Sequence, residues 1–592
     1  MANRFLEYYN DELDALRRRA TRFADSYPKI AGRLRLAREA SDDPHVERLV
    51  QSFAYSAARV RQKIDDSLPE LTDGLLETLY PHYLAPLPAM SLVAFEAARE
   101  LEAAQRVPAG TEVLSEPVEG DICRFRTSQD VEIAPIRIKA LRMMDRPVEA
   151  PPRQGLNAAA CLCITLEPTG KAPLSELGLN RLRFYLSGPA RHANALFRML
   201  HHQVTGIDLA THSADTEARR LAPGAIRPTG FADDTALLPY PEGSFRGYRM
   251  LTEFFTLPEK FLFFDIETGP LRENRRLDIY IYFDTPPGGL ERQVDAAHLT
   301  LHATPIVNLF RSRTEPITLD GTASVYRLQA DARRPLTRQV YAVSHVTLAR
   351  SDGRIEESRP FFHRLTDRGG DGIYWQIRRH GEEGGRLPGA TSIAFVDTRE
   401  EPVAPADTTA SIEVLATNGA LPRRLPFGGG QPRLKLASGV DHVAGVSCLR
   451  PMTTTRQAHA ARDRAWQLMS HLSLNHLSLT ADGTPVLRNI LRLYDPGDSR
   501  ETAQLIDAIE AVSARPGLTR MQGVLVSGTD VTITFDDQRI DPGQAVVFGS
   551  VLDRFLGCYT ALNTFTRLTL QMKDRTDALA RFAARAGEEA LI

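Results

Sequence analysis

The sequence predicts a multidomain α+β protein with helices at its N-terminus, two β-rich domains in its centre and a mixed α+β domain at its C-terminus. Its 592 residues are enough for about four domains of roughly 150 residues each. After Pro88 the spacing of apolar residues changes from three or four to two, which indicates a change from helices to strands. Helical spacing returns in the last third of the chain. The expected domains are residues 1–88, 89–238, 239–405 and 406–592.

The N-terminal region is predicted to be a long helix followed by a helical hairpin. The first helix, residues 4–27, carries a seam typical of helices packed at a shallow angle: Leu6, Tyr9, Leu13, Leu16, Ala20, Phe23 and Tyr27. Asp43 and Pro44 suit the start of a second helix, and Pro69 starts a third. The second helix has its own apolar stripe: Val46, Leu49, Val50, Phe53, Ala57, Val60 and Ile64. These faces pack on one another, meet a partner protein, or do both.

Short alternating segments bounded by Gly, Pro, Asp and Ser predict strands from residue 89 onward. Cys161 and Cys163 share one face of such a segment, so their spacing reflects strand alternation and not half of a metal site. Segment 244–267 has seven Phe and Tyr residues in 24 positions and opens the second β-rich region. In the last third, helices are predicted near 465–479, 501–516 and 547–565.

Composition and charge exclude several classes of protein. Apolar residues make up 43% of the chain, charged residues 25%, and the net charge is −2, so no basic surface for nucleic acid or anionic lipid is expected. The N-terminus lacks the apolar core of a secretory signal, and no segment reaches the roughly 18 apolar residues of a membrane-spanning helix. Five scattered cysteines favour the cytoplasm over a disulfide framework.

Motifs of known catalytic chemistry are absent from the sequence. It has no dinucleotide or phosphate-binding loop, no zinc-protease helix and no nucleophile elbow, and we expect no cofactor, metal site or enzymatic activity. Gly428-Gly429-Gly430 lies between prolines with no Lys-Ser/Thr after it, so it is predicted to be a turn. The best alternative is a carbohydrate-active hydrolase, with Tyr374-Trp375 as a sugar platform and Asp371 or Glu382 as a catalytic carboxylate.

Several motifs, in order and along the whole chain, resemble the TssF (VasA/ImpG) family of type VI secretion baseplate subunits. Asn418, Pro422 and Arg450-Pro451 belong to the same pattern. The motifs are SYPKIAGRL (26–34), DPHVERL (43–49), LPELTDGLLETLYPHYL (68–84), PLPAMSLV (86–93), YRMLTEFFTLPEKFLFF (248–264), HATPIVNLF (302–310), WQLMSHLSLNHLSL (466–479) and FGSVLDRFLGCYTALNTFTRL (548–568).

The resemblance implies a non-enzymatic scaffold with a fold similar to the wedge proteins of contractile-phage baseplates. It implies a wedge of two TssF copies and one TssG, to which TssK and TssE attach and which surrounds the VgrG spike before the sheath forms. The resemblance further implies a cytoplasmic protein that docks peripherally at the inner membrane through the secretion membrane complex, without inserting into it.

Two apolar features are the candidate partner surfaces. One is the seam of the first helix, with Leu6, Leu13, Leu16 and Phe23. The other is the aromatic segment, with Phe254 and Phe255. Large, stable interfaces are apolar, which suits both features.

Overall fold

The computed structural model divides into two compact units. The helical unit comprises residues 1–76 and 460–468, and the main unit comprises 77–459 and 469–592. The structure describes residues 2–26, 29, 43–66, 74, 76–77, 84–319 (except 154, 156 and 241–243), 323, 325–361 (except 352), 373–379, 391–396, 408–456 (except 440) and 483–587 (except 496–498, 522 and 576).

The helices carry labels in chain order. They are α1 (Ala2–Ser26), α2 (Pro44–Asp66), α3 (Ala190–His202), α4 (Arg246–Thr256), α5 (Gly483–Leu493), α6 (Arg500–Asp507) and α7 (Pro542–Cys558).

The strands are labelled in the same way. They are β1 (Met90–Ala97), β2 (Gln105–Val107), β3 (Glu112–Val118), β4 (Asp121–Thr127), β5 (Val131–Ile133), β6 (Ile136–Asp145), β7 (Ala160–Pro168), β8 (Arg181–Leu186), β9 (Val204–Ala210), β10 (Arg219–Leu221), β11 (Ile226–Thr229), β12 (Phe263–Glu267), β13 (Leu277–Phe283), β14 (Leu299–Leu301), β15 (Ala303–Val307), β16 (Phe310–Arg313), β17 (Ile317–Leu319), β18 (Tyr326–Leu328), β19 (Gln339–Ala349), β20 (Ile355–Pro360), β21 (Tyr374–Arg379), β22 (Thr391–Val396), β23 (Thr408–Thr417), β24 (Leu434–Leu436), β25 (Val443–Cys448), β26 (Ile509–Met521), β27 (Val524–Phe535), β28 (Phe565–Met572), β29 (Ala578–Arg581) and β30 (Arg585–Ala586).

In the helical unit, α1 and α2 form the predicted helix pair. Asp43 caps α2, because its carboxylate accepts a hydrogen bond from the His45 N–H (2.9 Å) and its carbonyl accepts one from the Glu47 N–H (3.0 Å). Most of the predicted third helix, from residue 69, lies outside the described residues.

The main unit contains a small closed barrel whose strands come from distant parts of the chain. Its order is β1-β15-β4-β3-β24-β25, β25 closes onto β1, and each strand is antiparallel to both of its neighbours. Alternate residues of these strands point inward and form one core, as Val93 and Phe95 do on β1 and Cys123 and Phe125 do on β4.

Strand pairing elsewhere in the main unit joins segments far apart in sequence. The sheets are β10-β9-β13-β7-β6, β11-β12-β8-β14, and an eight-stranded sheet of order β16-β23-β19-β20-β21-β22-β18 with β17 on β23. The pair β7–β13 spans the predicted boundary at residue 238, and β16–β23 spans the boundary at 405. The four-domain division therefore stays a proposal, and its central and C-terminal parts share sheets.

The C-terminal part alternates helices and strands, and the α+β class is confirmed. Helix α7 packs on β28 and on α3 and α4, and is buried along most of its length. The helix predicted at 501–516 is wrong in its second half: α6 ends at Asp507, and Ile509 begins β26, which pairs with β27 over its whole length. The helix predicted at 465–479 lies outside the described residues.

The aromatic segment 244–267 is not wholly β. Its first half is helix α4, and only Phe263–Glu267 form a strand, β12. Tyr248, Leu251 and Phe254 recur at steps of three, which suits a helix, and all three are buried. Between β8 and β9, Ala190–His202 form helix α3.

Candidate protein-binding surface

Helix α2 packs on α1 through small residues. Ala54 and Ala58 have no exposed surface, and Leu13 of α1 is 9% exposed. Small side chains such as these alanines allow the axes of the two helices to approach closely. Arg17 Nη2 donates to Glu47 Oε1 at 2.7 Å, and the Phe5 ring meets the Tyr55 ring edge-on at 5.2 Å. Because residues 5 and 17 of α1 lie beside residues 55 and 47 of α2, the helices are antiparallel.

The large apolar side chains of α2 lie on a different face, which is open to solvent. Leu49 is 70% exposed, Phe53 64% and Val60 60%. At roughly 100° per residue these three positions lie within about 40° of one another, while Ala54 and Ala58 lie more than about 90° away. We call Leu49, Phe53 and Val60 the α2 stripe.

The α2 stripe is the strongest candidate for contact with another protein. Single exposed apolar residues are ordinary, but a row of them along one helix face is typical of helices that pack on a partner. The sequence placed these residues in one stripe with Val46, Val50 and Ala57. The sequence did not show that a different face of α2 meets α1. That face is formed by Ala54 and Ala58, and alanines give only a weak signal in the spacing of apolar residues.

The α1 residues predicted to contact a partner also divide into exposed and buried side chains. Leu6 is 52% exposed and Phe23 37%, whereas Leu13 is buried and Leu16 is partly buried. Leu6 and Phe23 therefore present surface that another molecule can contact. Leu13 instead belongs to the contact between α1 and α2.

Phe254 is a core residue in this structure, which corrects its place among the partner-facing candidates. It is 3% exposed, and its ring stacks on Phe548 of α7. Tyr248 likewise stacks on Tyr494, with ring centroids 4.3 Å apart and planes 7° from parallel. Phe255 is partly buried and packs beside the same Phe548. The aromatic residues of this segment therefore pack inside the chain, at the contact between α4 and α7.

The proposed sugar platform is wrong. Trp375 is 8% exposed within the core of the eight-stranded sheet, and its indole Nε1 donates to the Ser358 carbonyl at 3.0 Å. A ring buried in this way offers no face to a sugar. Asp371 and Glu382 lie outside the described residues. Among the residues that are described, no group of three or more His, Cys, Asp or Glu side chains is placed to hold a metal ion.

Two buried asparagines, singled out in the sequence as motif residues, join the barrel to the eight-stranded sheet. The Asn308 Nδ2 donates to Asn418 Oδ1 at 2.8 Å, and the Asn418 N–H donates back to Asn308 Oδ1 at 2.7 Å. Asn418 Oδ1 also accepts from the Arg124 N–H at 2.9 Å, and Asn308 Nδ2 donates to the Arg124 carbonyl at 2.8 Å. Both side chains have no exposed surface. Their role is structural, because every bond they make is to the chain itself.

In the described part of the chain, none of the helices has both the length and the apolar character that crossing a membrane requires. A β-rich unit that buries its aromatic residues internally and a separate helical unit with an uncovered apolar face are typical of a structural subunit of a larger assembly.

The chain belongs to the TssF family of the type VI secretion system. The family described as "Type VI secretion system, TssF" matches residues 1–589. The chain is 32% identical to the type VI secretion system component TssF1 of Pseudomonas aeruginosa, over 99% of each protein.

Solved structures agree with this assignment. A chain of the TssK-TssF-TssG baseplate subcomplex of the type VI secretion system superposes with a TM-score of 0.76 and 29% identity, covering 91% of this chain and 98% of that one. A chain of the type VI baseplate complex gives a TM-score of 0.59 and 27% identity, covering 99% of this chain and 100% of that one.

Proposed function

We propose that this protein is a structural subunit of the type VI secretion baseplate and catalyses no reaction. The observation that carries the proposal is the likeness to a chain of a TssK-TssF-TssG baseplate subcomplex over nearly its whole length. The match to TssF1 of Pseudomonas aeruginosa covers 99% of both proteins, which supports the same role.

The expected partners are TssG and TssK, which are present in that subcomplex. We further propose that two copies of this chain and one TssG form a wedge, and that TssE and the VgrG spike join the wedge before the sheath assembles. In this proposal the protein works in the cytoplasm and reaches the inner membrane only by docking on the secretion membrane complex. The family assignment supports these finer statements.

The α2 stripe is the proposed surface for helices of TssG, and Leu6 and Phe23 of α1 are proposed as further, separate contacts. The stripe runs through Leu49, Phe53 and Val60, close to three helical turns, which is the length of a typical helix–helix contact. Covering such side chains contributes about 1.5–3 kcal/mol each if they become fully buried. An interface of this kind is therefore stable only when several of them are covered together.

Co-expression of the full chain with tagged TssG tests this surface. The variant Leu49→Asp/Phe53→Asp should lose TssG in a pull-down while its own melting temperature stays within a degree or two of wild type. The matched control is Arg48→Asp/Ser52→Asp, which places the same two side chains at exposed positions on another side of α2. If the stripe variant retains TssG as well as the control does, the proposed surface is wrong. If the wild-type protein does not bind TssG at all, the proposed assembly role is wrong.

A further inference from the structure

The main unit contains a cleft of about 740 Å³ that has no assigned role. Its walls are the loop at 228–236, helix α4, the C-terminal end of α7 and strand β30. A volume of this size matches sites for small molecules or short peptide segments, which measure about 300–1,000 Å³. It is much larger than a single bound water or inorganic ion needs.

The cleft is rich in positive charge. Its lining includes five cationic side chains, Arg246, Arg249, Lys260, Arg554 and Arg585, and two acidic ones, Asp233 and Glu253. The chain as a whole carries a net charge of −2, so the excess of positive charge in the cleft differs from the charge balance of the whole chain. A concave surface lined by one sign of charge concentrates ions of the opposite sign.

Four of these five cations form ion pairs with carboxylates of the chain. Arg246 and Arg249 both pair with Asp233. Lys260 pairs with the buried Glu253, and Arg585 pairs with the buried Asp553. These four cations share three carboxylates, so the group keeps one positive charge in excess even before Arg554 is counted.

Arg554 is the exception within the described part of the chain, where it forms no ion pair with a carboxylate. Its guanidinium lies 3.8 Å from the centroid of the Phe231 ring, and its Nη1 donates to the Ser550 carbonyl at 2.9 Å. The ring and the carbonyl fix the plane of the guanidinium and leave its other N–H donors for a ligand. Burial, together with repulsion from Arg585, lowers the pKa of Arg554 to about 9. The side chain is thus held in position as a cation with no direct ion pair, because the nearby Asp553 carboxylate, which attracts it, is bonded to Arg585.

We propose that this cleft binds a ligand through oxyanion groups, carboxylate or phosphate, with Arg554 as the principal contact. A guanidinium held flat can present two parallel N–H donors to two oxygens of one such group, and such charge-assisted pairs are roughly twice as strong as hydrogen bonds between neutral groups. The oxyanion belongs either to an acidic peptide segment or to a small free polyanion. This site does not depend on the proposed baseplate role, because it rests on the charges and geometry of the cleft alone.

Fluorescence anisotropy of a labelled hexaglutamate peptide with the full-length protein, at low salt, tests the site. Wild type should bind, and Arg554→Gln should weaken binding by about tenfold or more, since a hydrogen bond to a charged group contributes about 1.5–3 kcal/mol. The control is Arg539→Gln, which removes an exposed arginine outside the cleft and should change affinity less than about twofold. Arg554→Lys keeps the charge without the planar fork and should fall between wild type and Arg554→Gln.

Competition distinguishes the two sources. If inorganic phosphate or citrate displaces the peptide at constant ionic strength, the site takes small free oxyanions. If only unlabelled hexaglutamate displaces it, the site takes acidic segments. Failure of wild type to bind any of the three probes, or equal binding by wild type and Arg554→Gln, overturns the proposal. Arg554→Gln should unfold within a few degrees of wild type, because it loses the contact with Phe231 but also removes a partly buried charge that has no direct ion pair. A loss of binding at an unchanged unfolding temperature is then not a loss of fold.

Discussion

The ring of Phe254 lies flat against that of Phe548, with centroids 5.5 Å apart and planes 4° from parallel. The pair joins α4 to α7 across about 300 residues of sequence. A segment whose aromatic density suggests a partner surface is therefore part of the core of the main unit. The difference matters for experiment, because substitutions there report on folding and not on assembly.

Phe254→Ala should lower the free energy of unfolding of the main unit by about 3–5 kcal/mol, the cost of removing a large buried ring and leaving a cavity. Phe255→Ala removes the same atoms from a partly buried site and should cost clearly less. Denaturant titration followed by fluorescence measures both. Equal losses for the two variants would show that Phe254 is no more buried than its neighbour.

The Asn308–Asn418 pair should behave as one unit. Asn308→Ala and Asn418→Ala each leave buried partners without hydrogen bonds and should cost about 2–3 kcal/mol. The double variant should cost less than the sum, with a coupling energy of about 1 kcal/mol or more. A double-mutant cycle measures it, and strictly additive losses would contradict the direct bonds between the two side chains.

Lys260 and Glu253 form an ion pair deep in the main unit, with relative exposures of 2% and 1%. Glu253 also accepts hydrogen bonds from the N–H groups of Leu237 and Leu238, both at 2.9 Å. Lys260→Met should cost about 3–5 kcal/mol, because it leaves a buried carboxylate without its counter-charge. Glu253→Gln added to Lys260→Met should recover most of that loss, since the glutamine carbonyl can still accept from both amides. Thermal unfolding of the three variants tests this, and no recovery in the double variant would contradict it.

His302 should make the protein less stable in mild acid. Its Nε2 accepts from the Ala134 N–H at 3.2 Å, which requires a neutral ring, and burial lowers its pKa to about 4 from the ordinary 6.5. Between these two pKa values the His302 ring is protonated in the unfolded chain but neutral in the folded chain. The free energy of unfolding therefore falls as the pH drops from above 6.5 towards 4. Between pH 7 and pH 5 the loss from this residue is about 1–2 kcal/mol.

Comparison with His302→Asn isolates this contribution. Asparagine accepts the positive φ of 55° at this position but does not titrate. The drop in unfolding free energy between pH 7 and pH 5 should be about 1–2 kcal/mol smaller in the variant than in wild type. The same drop in both proteins would mean that His302 is protonated without cost in the folded state.

Substitution of Leu13 by aspartate should reduce the helix content of the protein, whereas the same substitution at Leu49 should not. Leu13 is buried between α1 and α2, so Leu13→Asp places a charge in that contact and should reduce the helical signal in far-ultraviolet circular dichroism. Leu49 is 70% exposed, so Leu49→Asp should leave the spectrum unchanged. If Leu13→Asp kept the full helical signal, its side chain would not be held in the contact between the two helices.

Much of the local structure could be predicted from the sequence. The cap at Asp43, the helical period of residues 4–26 and the alternation of strands such as β7 and β28 are set by neighbours within a few residues, so they can be recognised without the fold. The strand at Ile509 was missed because the apolar spacing of α6 continues into it for several residues. Only its pairing with Phe535 on β27 fixes it as a strand.

The candidate surface required the fold. The sequence showed that α2 is apolar, but not that two alanines, Ala54 and Ala58, meet α1 while Leu49 and Phe53 stay exposed. Likewise it gave no sign that Arg554 and Phe231, more than 300 residues apart, would meet in a charged cleft.

By itself the sequence determined the class of fold, the positions of most helices and strands, and the family, because each depends on local pattern or on motifs in order along the chain. The tertiary structure alone decided which strands share a sheet, which apolar side chains are covered, and which cation of the cleft forms no direct ion pair. Those properties depend on contacts between residues that are distant in sequence. Periodicity carries no information about which distant segment will cover a given face.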